Sequence, residues 1–195
     1  MHHKTLVGIT GGIGSGKSVV SKIIRTIGLP VYDSDLGARR LMEHDEDVKQ
    51  QIIKTFGNDL YATGSLNRPL LASIVFGHND RIETVNAIVH PAVKRDFLQW
   101  AKQQPSSVVF IESAILFESH FNNFMNHMVV VTAPYELRLQ RAMNRDHATR
   151  RQVEARIEAQ MAQQTLEQRC NTVLVNDNAV PLLPQVERML KQLKA

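Results

Sequence analysis

The chain has 195 residues, 43% of them hydrophobic, with 23 Lys and Arg against 19 Asp and Glu for a formal net charge of +4. That length suits one well-buried α/β domain with a helical insertion, and the charge is too slight to require nucleic acid. A single cysteine, Cys170, excludes an internal disulfide and a thiolate zinc cluster, and no apolar run approaches the roughly 20 residues of a membrane span.

Leu6 to Thr10 is short, apolar and β-branched, which predicts a strand. It runs into GGIGSGKS, Gly11 to Ser18, which fills every fixed position of the phosphate-binding pattern GxxxxGK[ST]. Val19 to Ile24 then carries apolar residues at helical spacing, so strand, loop and helix follow in the order the motif needs. The glycines let backbone N–H groups converge on phosphate oxygens, and the opening helix adds unpaired N–H groups and a positive dipole end. Lys17 supplies a cation to the β- and γ-phosphates, and the Ser18 hydroxyl suits Mg²⁺. The bland alternative, a glycine-rich turn with a chance lysine, does not explain the flanking strand and helix.

Leu29 to Tyr32 reads as a second strand ending at Asp33-Ser34-Asp35. Residues 36–104 are helical in pattern, interrupted by turn signals at Gly57-Asn58-Asp59 and Thr63-Gly64-Ser65, and suggest a substrate-binding subdomain. Val108 to Ile111, leading to Glu112, and Met128 to Thr132 are buried-strand runs. After Pro134 comes one long, Arg-rich helical region to about Arg169. Thr172 to Val175 is a last strand and a helix closes the chain after Pro181. Alternating strands and helices imply a parallel sheet with right-handed crossovers, hence an α/β fold.

Asp33 and Asp35 are the acceptor-side candidates, because a carboxylate within reach of a hydroxyl can orient it and take its proton. The alternative is a turn with a helix N-cap. Glu112, at a strand end, can bind Mg²⁺ through water, or it is a surface carboxylate. Glu118 is a second carboxylate that can fix an arginine. Among Arg138, Arg141 and Arg145, the pair 141 and 145 lies four apart and faces one way, suited to clamp phosphate or stack on a base. Arg138, Arg150, Arg151 and Arg156 could supply further cations to a lid over ATP, but are read as a solvated face pairing with Glu136, Glu154 and Glu158. His90, before Pro91, reads as structural, with substrate binding as the alternative. No NKxD run marks base recognition of the GTPase type; Asn176-Asp177-Asn178 lacks the lysine. His2 and His3 are read as inert, Cys170 as a buried or neutral thiol, and the short polar start as no signal peptide.

VGITGGIGSGKS, VYDSD with Ala38-Arg39, GSLNR with LASIVF, HP at 90 and 91, AILFE, LRLQRAMNRD, and EAQ before VND together resemble the dephospho-coenzyme A kinase family over nearly the whole chain. The resemblance implies a P-loop kinase fold with a parallel five-stranded sheet. It divides the chain into a nucleotide core (1–34, 105–134, 171–195), a helical coenzyme-A-binding subdomain (35–104) and a lid (135–170). It implies transfer of the ATP γ-phosphate to the 3′-hydroxyl of dephospho-coenzyme A. It implies Asp35 as base, with Asp33, Lys17 and Arg141 also catalytic. ATP falls to Gly12, Ile13, Gly14, Ser15, Gly16, Lys17, Ser18, Val19, Arg141, Arg145 and Asn176. The acceptor falls to Asp35, Arg39, Arg68, His90 and Glu118, and Mg²⁺ to Ser18 and Glu112. A cytoplasmic monomer or weak homo-oligomer, with neither nucleic acid nor membrane as partner, is expected. Val19 stands where the family has threonine, which removes a hydroxyl near the α-phosphate. Ala114 replaces a proline, Asn178 a glycine and Asn171 an aspartate.

Overall fold

In the computed structural model, which describes residues 4–193, the first strand is β1 (Thr5–Thr10), ending where the glycine-rich loop begins. His2 and His3 lie outside the described residues. β2 (Val31–Asp33), β3 (Val108–Glu112), β4 (His127–Thr132) and β5 (Thr172–Val175) join it in one sheet. All pairs are parallel, in the order β2-β3-β1-β4-β5. The near-continuous apolar runs suit strands covered on both faces, and Val7, Ile9, Phe110, Val129 and Val131 are fully buried. β2 begins at Val31, later than the expected Leu29. Pro30 has no N–H to give a ladder; it contributes only its carbonyl, which accepts the Phe110 N–H at 3.0 Å.

The helices in chain order are α1 (Lys17–Thr26), α2 (Ser34–His44), α3 (Glu46–Phe56), α4 (Arg68–Val75), α5 (Asn79–Gln103), α6 (Tyr135–Asp146), α7 (Arg150–Glu158), α8 (Gln163–Arg169) and α9 (Leu182–Leu193). They fall into two compact units, Met1–Asp33 with Gln104–Ala195, and Ser34–Gln103. Residues 135–170, expected as a lid, belong to the first unit.

In the first unit, Val20 and Ile24 of α1 and Val186 and Met189 of α9 pack with Val7, Ile9, Phe110 and Val131 of the sheet. Each such side chain, taken fully out of water, contributes about 1.5–3 kcal/mol. The single Arg-rich helix expected after Pro134 is three helices. α6 stops at His147, whose φ of 50° leaves the right-handed helical region, and α7 starts afresh from Thr149. The Thr149 hydroxyl accepts the Gln152 N–H while the Gln152 side chain accepts the Thr149 N–H, a reciprocal cap.

In the second unit, Asp45 caps α3 by accepting the Val48 N–H, and Asn67 caps α4 by accepting the Leu70 N–H. Leu41, Val48, Ile52, Leu60 and Phe97 are buried, and the Tyr61 hydroxyl donates to the Met42 carbonyl at 2.7 Å. Among the described residues no helix is long and apolar enough to cross a membrane.

Candidate active site

The loop leaves the central strand β1, flanked by β3 and β4, at the carboxyl edge of the sheet. Ligands of open α/β sheets bind there, where the strand order switches direction. Gly14 and Gly16 have φ of 74° and 96°. A Cβ at Gly14 would collide with the Arg138 carbonyl, and one at Gly16 with Asn176 Nδ2. Asn176 locks the loop by donating its side-chain amide to the Ser15 carbonyl at 2.8 Å, while its own N–H donates to Thr132 O of β4 at 2.8 Å. No side chain caps the start of α1, which leaves amide donors of its first turn for an anion. Lys17 Nζ donates to the carbonyls of Gly11 at 2.7 Å and Gly12 at 3.3 Å. The ammonium is thus held over the loop itself.

Two carboxylates end neighbouring strands beside this loop. Asp33 of β2 stands in register with Glu112 of β3, and Glu112 with Ile9 of β1. Burial pushes the Glu112 carboxyl above its ordinary range and Asp33 adds to the rise, while Ser21, the Lys17 ammonium and the Arg25 guanidinium oppose it. A half-buried carboxylate whose charge is undercompensated fits a cation, and the donors here are all oxygen, which suits Mg²⁺. Among the described residues no three His, Cys, Asp or Glu side chains gather as a metal cluster.

The arginines distribute differently from the expectation. Arg141 Nη1 donates to Asn176 O at 3.0 Å and its Nη2 to Asn178 Oδ1 at 2.6 Å, so it faces the loop after β5. Asn178, at the expected glycine position, takes a φ of 68° and supplies that acceptor. Arg145 shares no partner with Arg141. It forms a bidentate pair with its neighbour Asp146, at 2.7 and 3.0 Å, and Arg156 joins the same carboxylate at 2.9 Å. Arg150 pairs with Glu136 and Glu154, as a solvated face requires. Arg138 corrects the sequence reading: it is only 6% exposed and lies against Gly12 of the loop. Helical spacing alone could not reveal this, because its neighbour is far away in sequence.

Gln160 was also missed as a single residue, although EAQ belongs to the quoted motifs. Its Oε1 accepts the Ile13 N–H at 2.8 Å. Glu118 Oε1 accepts the Met161 N–H at 3.1 Å, next to Gln160 in the chain. Val19 is 48% exposed. Its N–H donates to Gly16 O at 3.0 Å.

In the second unit, Asp35 lies in the first turn of α2, two residues after Asp33, and Arg39 follows four residues on along the same helix face. Both are exposed. Arg68 opens α4 with Nη2 3.9 Å from Glu43 Oε2, and Glu43 Oε1 accepts the Leu66 N–H at 3.3 Å. His90 is half-buried in α5 before Pro91. Burial lowers its pKa below the ordinary value, so the ring is neutral at pH 7.

A family model described as dephospho-CoA kinase matches residues 5–181. The chain is 45% identical over 192 residues to a dephospho-CoA kinase of Porphyromonas gingivalis, covering 96% of this chain and 94% of that one. It is 39% identical to one of Bacteroides fragilis, covering 94% and 90%. A crystal structure of a Thermus thermophilus protein matches with a TM-score of 0.82 and 34% identity, over 98% of this chain and 97% of that one. Shikimate kinase from Acinetobacter baumannii shares the fold, with a TM-score of 0.54 at 14% identity.

Proposed function

Because the chain belongs to the dephospho-CoA kinase family, we propose that its named side chains divide the work of moving the ATP γ-phosphate to the 3′-hydroxyl of dephospho-CoA as follows. Asp35 accepts the hydroxyl proton, the oxygen attacks the γ-phosphorus, and the bond to the bridging β–γ oxygen breaks to release ADP. Lys17 leaves its contacts with the Gly11 and Gly12 carbonyls to neutralise the β- and γ-phosphates. Asp33 orients groups at the mouth of the loop. Mg²⁺, when bound, would neutralise charge on the phosphate oxygens; the Ser18 hydroxyl and the Glu112 carboxylate would hold it.

Arg141 and Asn176 border the nucleotide, and Arg145 reaches it after release from Asp146. Arg39, Arg68, His90 and Glu118 bind the acceptor, with His90 acting as a neutral hydrogen-bonding group. The lid helices exclude water, which would otherwise compete with the acceptor hydroxyl. The observation that carries this reading is the convergence of Lys17, Asp33 and Glu112 at the carboxyl edge beside the phosphate loop.

The test is a split of KM values. Arg39→Ala and Arg68→Ala should raise the KM for dephospho-CoA while leaving that for ATP nearly constant. An unchanged acceptor KM in both variants would remove the two arginines from the site.

A further inference from the structure

Arg138 is the least explained charge in the described chain. It sits on α6 with 6% exposure, and its Nε is buried without a hydrogen-bond partner among the described residues. No ion pair among those residues includes it. Glu167, the carboxylate whose charge acts on it, is already engaged, accepting from the Thr132 hydroxyl at 2.7 Å and from Gln163 Nε2 at 3.1 Å. The Tyr135 ring, 5.8 Å from the guanidinium carbon, offers only a weak face contact. Gln163 Oε1, beside the same glycine, is buried and unpartnered too.

A charged group whose Nε–H is withdrawn from water without an acceptor destabilises the fold. Its surroundings show what offsets that. Nη1 occupies the space that a Cβ on Gly12 would need, and the backbone of Arg138 closes on Gly14 in the same loop. The Gly12 carbonyl in turn accepts from Lys17 Nζ, the cation that serves the terminal phosphates. Arg138 therefore stands beside the first half of the loop, where the γ-phosphate end of the nucleotide lies, rather than beside the helix start that receives the inner phosphates.

We propose that Arg138 is a phosphate-binding residue, a second cation that donates to the γ-phosphate of ATP across Gly12. The proposal rests on the ATP site described above. A planar guanidinium reaches two oxygens of one phosphate, which a lysine cannot do. Arg138 thereby reads the presence of the terminal phosphate and favours ATP over ADP in the same loop.

The experiment is calorimetric titration of the full-length protein with Mg-ATP and Mg-ADP, for the parent, Arg138→Gln, Arg138→Lys and Lys17→Ala. The expected result for Arg138→Gln is a loss of ATP affinity of roughly 10- to 100-fold, the size of a charged hydrogen bond, with ADP affinity changed less than about threefold. Arg138→Lys, which keeps the charge and much of the volume, should recover part of the ATP preference and serves alone if the glutamine variant does not fold. Equal losses for ATP and ADP would make Arg138 a buttress of the loop and overturn the proposal, as would undiminished ATP binding. If Lys17→Ala leaves both affinities intact, the ATP site itself is misassigned and the proposal falls with it; loss in Lys17→Ala beside an indifferent Arg138→Gln condemns the proposal alone.

Discussion

Gln160 Oε1 accepts the backbone N–H of Ile13 at 2.8 Å, so a side chain just after α7 holds a peptide group of the glycine-rich loop. The Ile13 side chain completes the fastening by packing with Leu139, Ala142 and Val153. The loop is thus joined to α6, α7 and the segment after α7 by one polar and one apolar contact around the same residue. Removing the polar one in Gln160→Ala should cost about 1 kcal/mol, the net value of such a bond. It should also speed hydrogen exchange at the Ile13 amide without changing exchange in the central strands. Unaltered exchange at Ile13 would mean that the bond does not order the loop.

Lys17→Ala should lower kcat by roughly 100-fold or more, the effect of removing one preorganised charge from a developing anion. A variant with near-normal turnover would refute the role.

The elements formed by neighbours in sequence were legible in advance. GGIGSGKS announced the loop, and Thr172–Val175 is a strand at the expected residues. The parallel sheet and the kinase fold followed from the alternation of strands and helices together with the quoted motifs. What escaped depends on partners distant in the chain. Arg138 looked like one more cation on a charged helix because nothing local marks Gly12 as its neighbour. The break at His147 escaped because a non-glycine residue there adopts the left-handed conformation. Arg145 was grouped with Arg141 by spacing alone, yet the adjacent Asp146 captures it.

The pH dependence of stability reports on Glu112. Its carboxyl is raised above the ordinary value of 4.5 by burial first, so the folded state binds this proton more readily than the unfolded one. The stability from that proton is fully present below the unfolded pKa and is lost as pH rises through the folded one. Urea unfolding of the parent and Glu112→Gln at several pH values should show the parent losing stability relative to the variant from about pH 4.5 upward. A parent that gains on the variant over that range would contradict the burial of this carboxylate.

Cys170 should be nearly inert. Burial pushes its thiol up to about 12 against the weaker opposing effect of Arg169, leaving roughly 1,000-fold less thiolate at pH 8 than at its ordinary value. Iodoacetamide labelling should be at least about 100-fold slower in the folded protein than in urea. Equal rates would contradict the assignment of a desolvated thiol.

The central claim is that Asp35 takes the proton of the acceptor hydroxyl. The most direct measurement is formation of CoA from Mg-ATP and dephospho-CoA by mass spectrometry, comparing the parent with Asp35→Asn while following ATP binding in both. The account predicts rapid CoA formation by the parent, a loss of roughly 100-fold or more in the variant, and ATP affinity unchanged within about twofold. Near-parental turnover by Asp35→Asn would contradict it.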